Sequence, residues 1–447
     1  MANQVGQERE QWGSKIGFIL AAAGSAVGLG NIWKFPYVTG TNGGGAFVLI
    51  YVLMVACIGF SVMLAELVIG RRAQLNAVGS FEKIKGGAWP MVGWLGLACG
   101  FLILSYYGVV GGWTIKYILH SFTGLMEIAG AGNAGEAFGG FISNPVMVVL
   151  YQAIFMFSVI WVVYRGVGEG IERYCKILMP ALFILMIILI GRSVTLEGAG
   201  AGIEFYLKPD FSKVTAGTVL AALGQAFFSL SLGMGCMITY GSYLQKDISL
   251  PGAAAQVCFL DTLVALLAGL VVFPAVFAFG VEPGAGPGLT FITLPGIFSK
   301  MPGGMMWSGL FFLLLFVAAL TSAISLLEVA CSYFIDKGWT RAKAAWTMGT
   351  LIFLLGIPSA ISLGGGLKIG GKDFIDAAGF MTDQIMMPIG GLLICVFVGW
   401  VIKDIAKEEL TNNGKLPLFA GFDAWVMFVK FVAPLSILYI FITGLKW

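Results

Sequence analysis

Charge is scarce in this chain. Of its 447 residues only 11% are Asp, Glu, Lys or Arg. The 26 basic and 23 acidic residues leave a net charge of +3 and are scattered rather than massed, which argues against a nucleic-acid partner. Histidine is nearly absent: His120 stands alone, which excludes a histidine-based metal cluster. There is no N-x-S/T sequon, which fits a bacterial source. Cysteines 57, 99, 175, 236, 258, 331 and 395 all fall inside or at the ends of apolar stretches, so they imply no disulfide framework. Paired catalytic carboxylates and a Ser–His constellation are both missing, which argues against an enzyme. The first apolar run has no small-residue cleavage site and continues into Asn31 and Lys34. It reads as a retained helix rather than a signal peptide.

What the chain has instead is apolar length. Hydrophobic residues make up 58% of it, more than a soluble fold can cover. A spanning helix needs about 20 mostly apolar residues. Eleven stretches qualify: 14–38, 44–70, 91–122, 146–164, 171–194, 214–243, 252–280, 305–336, 341–362, 374–402 and 421–444. Most Lys and Arg residues fall on one side if the N-terminus is cytoplasmic, so the C-terminus is expected outside. The reading is an all-α integral membrane protein of the cell membrane. It divides into an N-terminal tail (1–13), a first repeat (14–194), an outer loop (195–213), a second repeat (214–402), a cytoplasmic loop (403–420) and a last span with a short outer end (421–447).

Two spans are interrupted. Gly24, Gly28 and Gly30 crowd the first, with Asn31 directly after, and Ser229–Gly235 (SLSLGMG) breaks the sixth. Clustered glycines let a helix leave its geometry, and inside a membrane the freed backbone groups need protein, water or a ligand as partners. The breaks lie five spans apart. Five is odd, so the second half enters the membrane inverted relative to the first, and paired broken helices point to a transporter's midplane site. One further residue stands out on these grounds: Asp261, an ionisable group within a span.

The motifs SAVGLGNIWKFPY, NGGGAF, GRR, SYYGVVGGW and SLSLGMG, in that order, resemble the neurotransmitter:sodium symporter family, in particular its bacterial amino-acid branch. The resemblance runs from Arg9 to the last helix. It implies a five-plus-five inverted repeat with the first and sixth helices broken, plus an extra C-terminal helix. It also implies two Na+ sites. The first maps onto the carbonyl of Ala26 with Asn31, Ser229 and Asp261; the second onto the carbonyls of Gly24 and Val27 with Ala318, Thr321 and Ser322. Sodium prefers such oxygen ligands. For Thr321 and Ser322, hydrogen bonding back to their own helix is the plainer alternative. Where the family often has asparagine this chain has Asp261, and Ala265 one turn later supplies no charge. Asp261 is therefore expected to provide the negative charge itself, so chloride is not expected; a protonated structural carboxylate is the alternative.

The resemblance places Ser25, Ala26, Gly28, Leu29, Gly30, Ile103, Tyr107, Phe228, Ser229, Ser231, Met234, Ser322 and Leu326 around the substrate, with Ala323 at its margin. Gly28 stands where amine-binding members carry an aspartate, leaving room for a carboxylate. The side-chain pocket holds no charge, so the expected substrate is a neutral hydrophobic or aromatic amino acid. Arg9 and Asp336 match the cytoplasmic gate, with Trp12 and Tyr243 as neighbours. Lys34 replaces the usual outer-gate arginine. Its usual aspartate partner aligns with Gly379, leaving Asp376 or Asp383 to substitute. Glu66 is expected to cap loosened backbone near the breaks. Gly170 and Pro180 mark either an unwinding or a kink in the fifth span. The expected partners are the amino acid and the lipid bilayer, with the chain a monomer or weak dimer. A sodium-independent facilitator, channel or sensor of the same fold is the alternative.

Overall fold

The computed structural model describes residues 9–281 and 288–445. Among these, nine helices are long and apolar enough to cross a bilayer: Gly45–Ala73, Pro90–Ser121, Pro145–Tyr164, Val167–Val194, Leu250–Ala278, Gly304–Asp336, Arg341–Ser362, Phe374–Val401 and Phe422–Gly444. The first expected span bends by 51° where Lys15–Ala26 gives way to Gly30–Thr41. The sixth is split into Ala216–Ser229 and Cys236–Gly241. Among the described residues, nine continuous helices and the bent pair make up to ten candidate crossings, and the split sixth stretch stands where the eleventh was expected.

Both breaks have local causes. Val27 is extended at ψ 112°, and the Gly28 N–H donates to Asn31 Oδ1 at 3.0 Å rather than to a helical carbonyl. In the sixth span Ser231, Gly233 and Gly235 take φ of 54°, 78° and 80°. The glycines reach this left-handed region freely, whereas Ser231 is a strained non-glycine position of the kind found at functional sites. The Ser231 hydroxyl donates to the Ser25 carbonyl at 2.9 Å, which ties the two broken segments together. The Gly233 N–H donates to Glu66 Oε1 at 2.7 Å, the capping expected of Glu66.

The eighth span, Gly304–Asp336, is the interior post: 83% of its apolar window is buried, against 22% for the last span. It packs along the third span, and the broken first helix lies between it, the fifth and the seventh. The fifth span opens with a π-helical turn, Val167–Glu172, and continues helically from Arg173 through Pro180. Gly170 therefore marks a π-turn and not an unwound segment. The loops expected at 195–213 and 403–420 carry short helices, Ala199–Leu207 and Lys403–Leu410, and a third short helix spans Leu294–Ser299. Residues 282–287 lie outside the described residues.

The helix Lys403–Leu410 is held by charge. Buried Glu409 accepts from Arg71 Nε at 2.6 Å and from Lys246 Nζ at 2.9 Å, and Arg71 also donates to the Ile248 carbonyl. This joins the ends of the second and tenth spans to the loop after the sixth. Burial pulls the Lys246 pKa below the ordinary lysine value despite its carboxylate partner.

Candidate functional site

The breaks in the first and sixth helices meet the seventh span at a buried polar knot. Asn31 Nδ2 donates to Ser229 Oγ at 2.9 Å and to Asp261 Oδ1 at 2.8 Å. Ser229 Oγ donates to Asp261 Oδ2 at 2.8 Å, and the Tyr51 hydroxyl reaches the same atom at 3.4 Å. Asn31 and Asp261 are both 0% exposed. Among the described residues no Lys or Arg pairs with Asp261. An unpaired buried carboxylate is costly, and carboxylate and hydroxyl oxygens such as those of Asp261 and Ser229 suit a hard cation, while Asn31 turns its Nδ2 toward them and its Oδ1 toward the Gly28 N–H. Three of the four residues expected at the first sodium are thus hydrogen-bonded to one another. Gln225 joins them: its Nε2 donates to the Gly30 carbonyl at 2.8 Å, while its Oε1 is buried without a partner.

Of the residues expected at the second sodium, Gly24, Thr321 and Ala318 come together between the first and eighth helices. A Cβ on Gly24 would lie 3.1 Å from Thr321 Cβ, so the two are in contact. Thr321 Oγ1 donates to the carbonyls of Ala318 and Val317, each at 3.1 Å. The back-bonded hydroxyl is the plainer alternative in its expected form, yet it keeps Thr321 Oγ1 and the Ala318 carbonyl side by side.

Above this lies the expected substrate region. The Leu29 N–H donates to the Tyr107 hydroxyl at 3.1 Å. A Cβ on Gly28 would sit 2.8 Å from that hydroxyl and 3.2 Å from Ser322 Oγ. One on Gly30 would sit 2.8 Å from the Phe228 ring. Ile103, Met234 and Leu326 are each 3% exposed and supply the apolar surface. At the floor Ser25 Oγ donates to Ser325 Oγ at 2.7 Å.

Ion pairs close the region on both faces. On the N-terminal face Arg9 Nη1 meets Asp336 Oδ1 at 2.6 Å, and its guanidinium stacks 4.7 Å from the centre of the Tyr243 ring. Asp336 Oδ2 accepts from the Asn76 backbone N–H at 2.7 Å. Trp12 is buried and donates from Nε1 to the Tyr240 carbonyl at 3.0 Å. On the far face Lys34 Nζ meets Asp383 Oδ2 at 3.3 Å and lies 4.0 Å from the centre of the Phe228 ring. Asp383, on the π-turn Met381–Met386, is therefore the carboxylate that substitutes, and not Asp376. Thr382 beside it bonds the Tyr106 hydroxyl at 3.0 Å. A cavity of about 310 Å³ opens next to this pair, between Lys34, Gln225, Phe228, Asp383 and Ile437.

The model of the sodium:neurotransmitter symporter family matches residues 9–134 and 141–446. The chain belongs to that family. This symporter is 44% identical over 444 residues to an uncharacterised sodium-dependent transporter, YhdH, of Bacillus subtilis, covering 98% of each chain. It is 40% identical over 456 residues to an uncharacterised sodium-dependent transporter of Haemophilus influenzae, covering 98% of this chain and 99% of that one. Its fold matches the crystal structure of MhsT in complex with L-phenylalanine, with a TM-score of 0.89 and 49% identity over 98% of this chain and 100% of that one. It is a sodium-dependent membrane transporter and not an enzyme.

The N-terminal face of the symporter holds a second layer that sequence reasoning missed. Arg341 grips two carboxylates at once, Glu10 at 2.9 Å and buried Glu328 at 2.8 Å. The Tyr243 hydroxyl donates to Glu328 Oε1 at 2.6 Å. Glu10 also accepts the Val167 N–H at 2.8 Å, and Glu172 accepts the Gly13 N–H at 2.6 Å, so the N-terminal segment is strapped to the fifth span. One signal was available: Glu328 is an acid inside an otherwise apolar run, the same argument that singled out Asp261.

Proposed function

We propose that this chain imports neutral hydrophobic or aromatic L-amino acids by sodium-coupled symport with alternating access, without needing chloride. The N-terminus is cytoplasmic in this reading, and Arg9 and Asp336 form the inner gate. The observation that carries it is the unpaired Asp261 carboxylate, buried in a knot of Asn31, Ser229 and Tyr51 at the two helix breaks.

A fixed negative charge there takes the place of a bound anion. One sodium is held by Asp261, Asn31, Ser229 and the Ala26 carbonyl. A second is held by the Gly24, Val27 and Ala318 carbonyls with Thr321 and Ser322. The substrate carboxylate lies beside Gly28, with the Leu29 and Gly30 N–H groups and the Tyr107 hydroxyl as donors. Its side chain points toward Ile103, Phe228, Met234 and Leu326. L-Phenylalanine in MhsT, at 49% identity, supports the substrate class. Sodium and substrate share the site, so each raises the other's affinity.

The test is uptake of labelled tryptophan and leucine into proteoliposomes under an inward sodium gradient, with gluconate replacing chloride. Accumulation that collapses when choline replaces sodium, and is indifferent to chloride, is expected. Equilibration without accumulation, independent of sodium, would instead mark a facilitator or channel and overturn the two-site mechanism.

A further inference from the structure

The last span carries a lysine with no carboxylate. Lys430 sits on the π-turn Phe428–Val432 within Phe422–Gly444. Among the described residues it has no ion pair. Its Nζ lies 4.9 Å from the centre of the Trp400 ring, and Trp400 Nε1 donates to the Lys430 carbonyl at 3.2 Å. Trp400 is 56% exposed and Phe431, whose ring centre is 5.4 Å from it, is 49% exposed. Gly399 makes room for the lysine stem, since a Cβ there would be 2.9 Å from Lys430 Cγ. A cation held on a tryptophan and open to the surroundings on an apolar wall is a site built for an anion at a membrane border.

The level of this site is fixed by its neighbours. Trp400 is one residue from the end of the span Phe374–Val401. The helix that follows exposes Lys403, Asp404, Lys407 and Glu408 and is tied by Glu409 to Arg71, near the end of the second span. The site therefore lies where the tenth span leaves the membrane on the N-terminal face. From it an exposed apolar strip climbs the last helix through Phe431, Leu435, Leu438 and Ile442. From Lys430 to Ile442 the strip rises about 18 Å, a length suited to an acyl chain.

We infer that Lys430, its stem seated on Gly399 and its ammonium held over Trp400, binds the phosphate of an anionic phospholipid from the leaflet on the N-terminal face, with an acyl chain lying along the strip. A lipid fits better than an acidic helix, because the strip is continuous, apolar and open along its length. Lys403, one turn beyond Trp400, adds to the attraction, with Asp404 beside it as the opposing charge.

Delipidated transporter in mild detergent is titrated with phosphatidylglycerol or phosphatidylcholine and read by native mass spectrometry. The wild type is expected to retain a phosphatidylglycerol at least fivefold better than phosphatidylcholine. Lys430→Gln is expected to lose that preference and Lys430→Arg to keep it. The wild-type arm stands without either variant: retention that weakens in high salt and is not competed by glycerol phosphate supports the site. Equal retention of the two lipids by the wild type, unchanged preference in a folded Lys430→Gln protein, or equal competition by glycerol phosphate would each overturn it.

Discussion

Gly28 lies against the Tyr107 hydroxyl, so close that a Cβ at position 28 would be 2.8 Å from it. Any side chain there must displace the tyrosine that meets the Leu29 N–H, and it would fill the space proposed for the substrate carboxylate. Overpacking of this kind costs about 1–3 kcal/mol, roughly 5- to 150-fold in binding. Gly28→Ala is expected to raise the half-saturating substrate concentration at least tenfold while leaving thermal stability within a few degrees of wild type. Uptake kinetics beside a melting curve check this; an unchanged half-saturating concentration would place the substrate elsewhere.

Asp261 is the second point of leverage. Removing a unit charge about 4 Å from a bound cation forfeits on the order of 4 kcal/mol at an effective dielectric of 20. Asp261→Asn keeps the shape but loses the charge and turns one of the two accepting oxygens into an NH2 donor. It is expected to lose most chloride-free uptake and to raise the half-saturating sodium concentration by more than tenfold. Uptake in gluconate as a function of sodium measures it. Normal chloride-free transport by this variant would make Asp261 a protonated structural group.

The parts of this site visible from sequence are those set by local chemistry. Clustered glycines predict both helix breaks because a glycine's backbone freedom is a property of the residue itself. Asp261 is visible because a carboxylate is out of place in an apolar run. The Arg9–Asp336 ion pair was legible only through the family's motif order. What stayed hidden depends on distant pairing: Arg341 and Glu10 stand 331 positions apart, and Arg71 and Glu409 stand 338 apart. The helix Lys403–Leu410 was invisible for the same reason, because it is short and highly charged and the buried Glu409–Arg71 contact anchors it. The choice of Asp383 over Asp376 for Lys34 rests on a π-turn, which leaves no periodic trace in sequence.

Thr321 separates two roles that share one geometry. Its hydroxyl is back-bonded to Val317 and Ala318, and the same oxygen is proposed as a sodium ligand. Thr321→Val removes the oxygen but keeps the shape. If the second sodium binds there, the sodium dependence of uptake falls from a Hill coefficient near two toward one, and half-saturation rises severalfold. A purely structural hydroxyl predicts unaltered sodium dependence with at most about 1 kcal/mol of lost stability.

The ion pairs on the N-terminal face form two layers. Arg9–Asp336 is partly exposed, with side chains 16% and 14% accessible, while Glu328 beneath it is 0% exposed. Breaking a buried pair leaves a stranded charge, which costs more than breaking one near water. Arg341→Ala, which abandons Glu328 and Glu10 together, is therefore expected to open the N-terminal face further than Arg9→Ala. A cysteine placed at Ser25 and labelled from the inside reports this. Its labelling should rise at least threefold in Arg9→Ala and more in Arg341→Ala; the reverse order would put the lock in the outer layer alone.

Gly100 borders Met234 and Leu326, two residues of the proposed side-chain pocket. It lies one turn before Ile103, and a Cβ there would rest 3.4 Å from the Met234 carbonyl and 3.6 Å from Leu326 Cδ2, ordinary contact distances. Alanine therefore fits without strain, whereas a larger side chain must push into the space between Met234 and Leu326 that an aromatic substrate would use. Gly100→Ala is expected to keep uptake of both tryptophan and leucine. Gly100→Val is expected to cut tryptophan uptake at least tenfold more than leucine uptake, because the added methyls take volume from the longer side chain first. Competition between the two labelled substrates measures the ratio directly and needs no correction for expression. A loss shared equally by both would mean that Gly100 serves only the packing of the third span against Met234, and that the aromatic ring is accommodated on another wall.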